Sequence, residues 1–225
     1  MKVLSAHLWE KKEDVLHMPI SVVLQQACVG KRTIVLACVC EGKNAGEAGV
    51  TESGYFTEGL AEWFHRVGIR LGERKEDEKA AKALGTEIAR LEKENREYTA
   101  KNGLESRLHY WGIFLIEDRA WIFTRGECKG FLLNRRFQKK NMKEIIISQQ
   151  TEKGSWFPVK IQKRVGILLC TEGFSKGWTQ EECVEVLMPE GEFSEERMEK
   201  RLQEVWREQV RMERCTMAGA IYLRT

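Results

Sequence analysis

Carboxylates at the ends of apolar runs are the first chemistry this sequence offers. The run Val35 to Cys40 empties into Glu41-Gly42, and Ile167 to Thr171 into Glu172-Gly173. Glu213 stands just ahead of the apolar stretch that closes the chain, and Glu13-Asp14 just ahead of the first one. Glycine lets backbone come close while the neighbouring carboxylate supplies hard oxygen ligands, a combination suited to a metal or phosphate at a sheet edge. Four acidic sites so far apart in sequence are what a cation site assembled between two sheets requires. The other reactive groups are less organised. His7, His17, His65 and His109 show no i, i+4 pairing and no clear carboxylate triad, which reads as packing or surface roles. Of the seven cysteines, Cys28, Cys38, Cys40 and Cys170 sit in apolar runs, and no C-x-x-C pair accompanies them. They read as small core residues in a reducing compartment, and zinc is not expected.

The elements that position these residues follow from periodicity. Residues 20–29 and 33–40 read as strands joined by a hairpin at Gly30-Lys31-Arg32. Tyr55, Leu60, Trp63, Phe64 and Val67 recur at helical spacing between Glu52 and Arg70, with Gly72 as a stop. A second, charge-laced helix is expected over residues 73–102. Its stripe is Leu84, Ile88, Leu91 and Tyr98, with Asn95 between. That stripe suits one side of a helix packed on a sheet, or a seam of about two heptads that would make 73–102 an assembly module. Strands are expected at 110–117, 120–124, 130–134, 143–149 and 164–170, helices at 179–188 and 194–212 with Ser194 as N-cap, and a closing strand at 217–223. No internal repeat or linker divides the chain, so residues 1–225 read as a single domain. The order ββ, αα, a block of strands, αα, β is α+β with mainly antiparallel sheets.

Composition narrows the partners. The 225 residues carry a formal charge of +3, with lysine, arginine and glutamate interspersed rather than in blocks. This gives no footprint for nucleic acid. Neither a signal-peptide core nor a transmembrane run is legible, so the chain reads as soluble and cytoplasmic. Asp14, Asp77 and Asp118 are the only aspartates among 34 acidic residues.

Several stretches resemble the metal-dependent protein phosphatase family, protein phosphatase type 2C (PPM-type), in its bacterial style. LACVCEGKNAGEAGVTESGYFTEGLAEWF is similar to the family's strand, D-G-x-G-G turn and helix, and GILLCTEGFSKGWTQEE to its L-L-x-S-D-G-[LF] segment. RGECKGFLLNRRF stands at the G-D-S-R-x-Y position and MERCTMAGAIYL at D-N-x-T, while WEKKED is a distant match to the opening R-x-x-N-[EQ]-D. The resemblance implies a four-layer α/β/β/α sandwich. In active members it implies two Mg2+ or Mn2+ ions that activate water for phosphoserine and phosphothreonine hydrolysis. It places Glu41 at the aspartate bridging both metals and Gly42 at the glycine whose carbonyl faces a metal shell. Glu172 and Glu213 fall on two further ligating aspartates, Glu13 and Asp14 on the opening acidic pair, and Glu127 on a mainly structural aspartate.

The match departs from the family where catalysis is most demanding. Trp9 stands at the phosphate-binding arginine, Asn44 and Ala45 at the paired glycines, Arg214 at the asparagine, and Cys128 at the serine of G-D-S. Each glutamate is a methylene longer than aspartate, yet two metals about 3.5 to 4 Å apart need tight ligand geometry. Lys11, Lys12 or Lys43 could offer point charges to a phosphate, without the fork of a guanidinium. The expectation is a pseudophosphatase whose partner is a phosphoprotein or a protein kinase. An active Mn2+ phosphatase with a glutamate site is the alternative.

Overall fold

The computed structural model describes residues 2–136, 139–144, 155–161, 165–176, 185–188 and 194–225. The strands are β1 (Leu4–Lys11), β2 (Ile20–Val29), β3 (Arg32–Gly42), β4 (Leu108–Ile116), β5 (Arg119–Arg125), β6 (Lys129–Arg136), β7 (Lys139–Glu144), β8 (Ser155–Lys160), β9 (Gly166–Cys170) and β10 (Met217–Arg224). The helices are α1 (Glu47–Trp63), a π-helical turn (Phe64–Gly68), α2 (Ile69–Glu73), α3 (Asp77–Lys101), α4 (Glu172–Ser175) and α5 (Glu195–Arg211). Two five-stranded sheets form, ordered β1-β10-β9-β6-β7 and β2-β3-β4-β5-β8, and every recorded pairing is antiparallel.

Alternation along the strands builds three apolar layers. Val35, Ala37 and Val39 of β3, with Trp111, Ile113 and Leu115 of β4, meet Ile167, Leu169, Ile221 and Leu223 of the facing sheet. The opposite faces of β3 and β4, including Leu36, Cys38, Tyr110 and Phe114, pack under Phe56, Leu60, Leu84 and Leu91 of α1 and α3. On the other side Leu168, Ala220 and Tyr222 lie under Met198, Leu202 and Val205 of α5. Each large aliphatic side chain buried this way contributes about 1.5–3 kcal/mol. The result is the expected α/β/β/α sandwich. It explains why 33–40 is apolar without alternation: both faces of β3 are covered.

Several sequence expectations need correction. The first helix begins at Glu47, five residues before Glu52, and continues through the π-helical turn to Glu73. Helix α3 packs rather than protrudes, with Ala80, Leu84, Ile88, Leu91, Asn95 and Thr99 buried, so 73–102 does not meet the condition for an assembly module. Tyr98 is 44% exposed and Asn95, placed between apolar positions, is 2% exposed. A straight α-helix drifts about 20° per heptad from a 3.5-residue repeat, which carries position 98 off the buried face. Cys28 is exposed on edge strand β2, whereas Cys38, Cys40, Cys128, Cys170 and Cys215 are buried. Strands β1 and β8 had no counterpart in the sequence reading. The strand expected at 143–149 lies earlier, as β7, and 145–149 fall outside the described residues, as do 164 and 179–184 of other expected elements. Ser194 caps α5 as expected, accepting a hydrogen bond from the Arg197 N–H at 3.2 Å. No helix among the described residues is long and apolar enough to cross a membrane.

Candidate functional site

Glu41 lies at the end of β3, opposite Ile20 of β2 and His109 of β4. After it the chain turns sharply. The Gly42 N–H donates to the Pro19 carbonyl at 2.8 Å, and the Lys43 N–H to the Arg107 carbonyl at 2.9 Å. Gly42 and Gly49 bring strand end and helix start together. A Cβ on Gly42 would lie 2.2 Å from the Gly49 carbonyl oxygen, and one on Gly49 would lie 2.3 Å from that of Asn44. Gly42 is therefore required by the close approach of two backbones. Asn44, at a position where the family has glycine, ties the turn down: its amide donates to Glu52 Oε2 at 2.7 Å and to the Glu105 carbonyl at 2.9 Å.

Residues i and i+2 of an extended segment share a face, so Lys43 follows Glu41 onto the same side. Its Nζ lies 3.1 Å from Glu41 Oε1 and 3.1 Å from Glu127 Oε2. Glu127 comes from the β5–β6 turn, set there by Gly126 at φ +74°. Burial works to lower the Lys43 pKa, but the charges and hydrogen bonds of Glu41 and Glu127 outweigh it and raise it, so the group is an ammonium. Lys43, by hydrogen bond and charge, holds the Glu127 carboxyl below its ordinary range.

His109 completes the group. Its Nδ1 accepts from the Glu127 N–H and lies 3.4 Å from Glu127 Oε2. Burial pushes the imidazole below its ordinary pKa, the pull of Glu127 notwithstanding. It is therefore neutral at pH 7, with Nδ1 an acceptor rather than a donor to the carboxylate. Glu41 Oε2 is buried and has no hydrogen-bond partner. Cys128, at the serine of the resembling turn, is no nucleophile, because burial first and the charge of Glu41 next push its thiol well up.

The remaining expected ligands come from other elements. Glu172 opens α4, whose Gly173 packs on Cys215: a Cβ there would lie 2.9 Å from the sulfur. Burial first, with the charge of Glu41 adding to it, raises the Cys215 thiol above its ordinary pKa. Glu213 is exposed and occupies the left-handed position, φ +54°, that ends α5. Glu13 and Asp14 are exposed in the turn after β1. Among the described residues, no three or more His, Cys, Asp or Glu side chains are grouped to hold a metal ion. Trp9 is 55% exposed, and its indole N–H donates to the Ile20 carbonyl at 2.6 Å. Lys11 is engaged with the Val15 and Leu16 carbonyls. The sequence singles out Glu41 but not its pairing with Lys43 or the place of His109 beside Glu127. The one available signal was the i, i+2 spacing of opposite charges at a strand end.

No family model matches the sequence, and no curated protein matches it. Solved structures do. A bacterial serine phosphatase variant superposes with a TM-score of 0.78 at 13% identity, over 100% of this chain and 98% of that one. PppA, a key regulatory component of T6SS in Pseudomonas aeruginosa, gives 0.76 at 13% identity, over 100% and 98%. The catalytic domain of the serine/threonine protein phosphatase PstP, in complex with two manganese ions, gives 0.74 at 12% identity, over 99% and 97%. At this level of identity the likeness is one of fold: the chain has the fold of the type 2C-like phosphatases.

The donor set fits two divalent ions poorly. One oxygen of Glu41 and one of Glu127 are held by an ammonium, Glu213 is exposed, and no three-ligand group forms among the described residues. Glu41 Oε2 is the single buried carboxylate oxygen of this group left open.

Proposed function

We propose that this chain is a pseudophosphatase: it keeps the phosphatase fold and acts by binding, with a phosphoprotein or a protein kinase as partner. The observation that carries this reading is the Lys43 ammonium lodged between Glu41 and Glu127. Metal-dependent phosphatases activate water on a pair of ions and neutralise the phosphoryl oxygens with them. A tethered ammonium supplies charge but cannot polarise a bound water as a divalent ion does. Trp9 reinforces the reading, since an indole N–H already given to a backbone carbonyl offers no fork to a phosphate.

A second reading, an active Mn2+ phosphatase with glutamate ligands, is favoured by one observation, the buried and unpartnered Glu41 Oε2. Hydrolysis of p-nitrophenyl phosphate and of a phosphoserine peptide, in millimolar Mn2+ or Mg2+, separates the two. The pseudophosphatase gives no metal-dependent release of phosphate. Turnover by the wild-type chain that rises with Mn2+ and vanishes on chelation would establish the second reading instead.

A further inference from the structure

We infer that Lys43 is the resident cation of this site, neutralising Glu41 and Glu127 permanently and holding the fold in a metal-independent form. The inference rests on the pseudophosphatase reading and adds the agent responsible. Three observations converge on it. The ammonium makes matched 3.1 Å contacts to carboxylates from two different turns, so it ties the end of β3 to the β5–β6 connection as a bridging ion would. Lys43 is 28% and Glu41 14% exposed, so that pairing is screened less than a surface one, while the pairing with Glu127, 54% exposed, is the more screened of the two. The turn that carries Lys43 is fixed on both sides, by Gly42 to Pro19, by Lys43 to Arg107, and by the Asn44 side chain to Glu52 and Glu105.

That last feature separates a built device from a surface ion pair. Exposed lysine pairs are weak because a long side chain must be ordered for one contact. Here the backbone is already ordered by neighbouring hydrogen bonds, and one ammonium serves two carboxylates. The same position excludes other cations. A divalent ion on the oxygens that Lys43 holds would lie within a few ångströms of the ammonium and be repelled by it.

Thermal denaturation of wild type, K43A and K43R, each with and without millimolar MnCl2, tests this. The wild-type melting temperature should not move with Mn2+. K43A should melt about 3–8 °C lower, from the uncompensated buried carboxylate, and recover at least half of that loss in Mn2+ as the freed oxygens accept the ion. K43R, which keeps the charge, should remain unresponsive to Mn2+. If K43A is too unstable to purify, the double variant E41Q/K43A decides. Removing both partners restores melting towards wild type if the ammonium neutralises that carboxylate, and leaves it low if it does not. A K43A protein that melts like wild type, or one that falls and ignores Mn2+, overturns the inference while leaving the pseudophosphatase reading intact. A wild-type melting temperature that climbs with Mn2+ overturns the inference, and Mn2+-dependent turnover in the same samples overturns the pseudophosphatase reading as well.

Discussion

Two carboxylates of this molecule, one buried and one partly buried, sit in contrasting surroundings. Glu92, on α3, has a side chain only 8% exposed. Its Oε1 accepts from the Tyr110 hydroxyl at 2.9 Å and from Arg125 at 3.1 Å, and Arg96 lies 3.9 Å from Oε2. Glu41, on the same sheet, is 14% exposed and meets one lysine through one oxygen, the other having no partner. The first is a closed structural tie that fastens a helix to β4 and β5. The second is balanced in charge but short of hydrogen bonds. Buried polar networks that are fully satisfied rigidify a fold, and a group left without a partner costs stability. The difference leaves Glu41 Oε2, like the Oε1 of fully buried Glu52, without a hydrogen-bond partner, while Glu92 fastens its helix to the sheet.

The largest effect expected from this contrast is on Glu92. Glu92→Ala leaves the buried Tyr110 hydroxyl and the partly exposed Arg125 without their partner and should cost about 2–4 kcal/mol, read as a fall in the urea midpoint. A loss below about 1 kcal/mol would show that the tie is not closed. Next comes the frame of the open site. Gly49→Ala drives a methyl into the Asn44 and Gly42 carbonyls, and overpacking of this kind costs about 1–3 kcal/mol in chemical denaturation.

The closed tie should also show itself in alkali. Burial, with the charge and hydrogen bond of Glu92, raises the Tyr110 pKa well above its ordinary value. The unfolded chain loses that proton near pH 10 while the folded chain keeps it. Stability from this group is therefore fully present below pH 10 and declines above it, by about 1.4 kcal/mol per pH unit. In Tyr110→Phe this part of the alkaline slope should be absent; an unchanged slope would place the titration elsewhere. The smallest effect belongs to Glu41. Glu41→Gln leaves Lys43 its contact with Glu127 and should shift stability by less than about 1 kcal/mol. A loss as large as that of Glu92→Ala would erase the distinction between the two carboxylates.

How much of this could be read in the sequence depended on what each residue's partners were. Strand β3 was legible because cover on both faces makes 33–40 apolar throughout. The Ser194 cap was legible because its signal is local. Strand β1 was not, since between Ala6 and Leu8 it exposes His7, and Trp9, Glu10 and Lys11 after them look like a polar turn. Strand β8 carries Pro158, which argues against a central strand but is tolerated at the sheet edge where β8 lies. For the site, apolar runs ending in glutamate and glycine singled out Glu41 at the end of β3 and Glu172 just after β9. Its electrostatics were hidden, because Glu127 joins Lys43 from 84 residues away and His109 from a third element. Charge composition shows how many acids there are, and only topology shows which base each one meets.

The most direct test is isothermal titration of MnCl2 into the wild-type chain at neutral pH. With Lys43 as the resident cation, the titration should give only heats of dilution. Saturable binding of two manganese ions per chain would contradict that claim and return the site to metal-dependent chemistry.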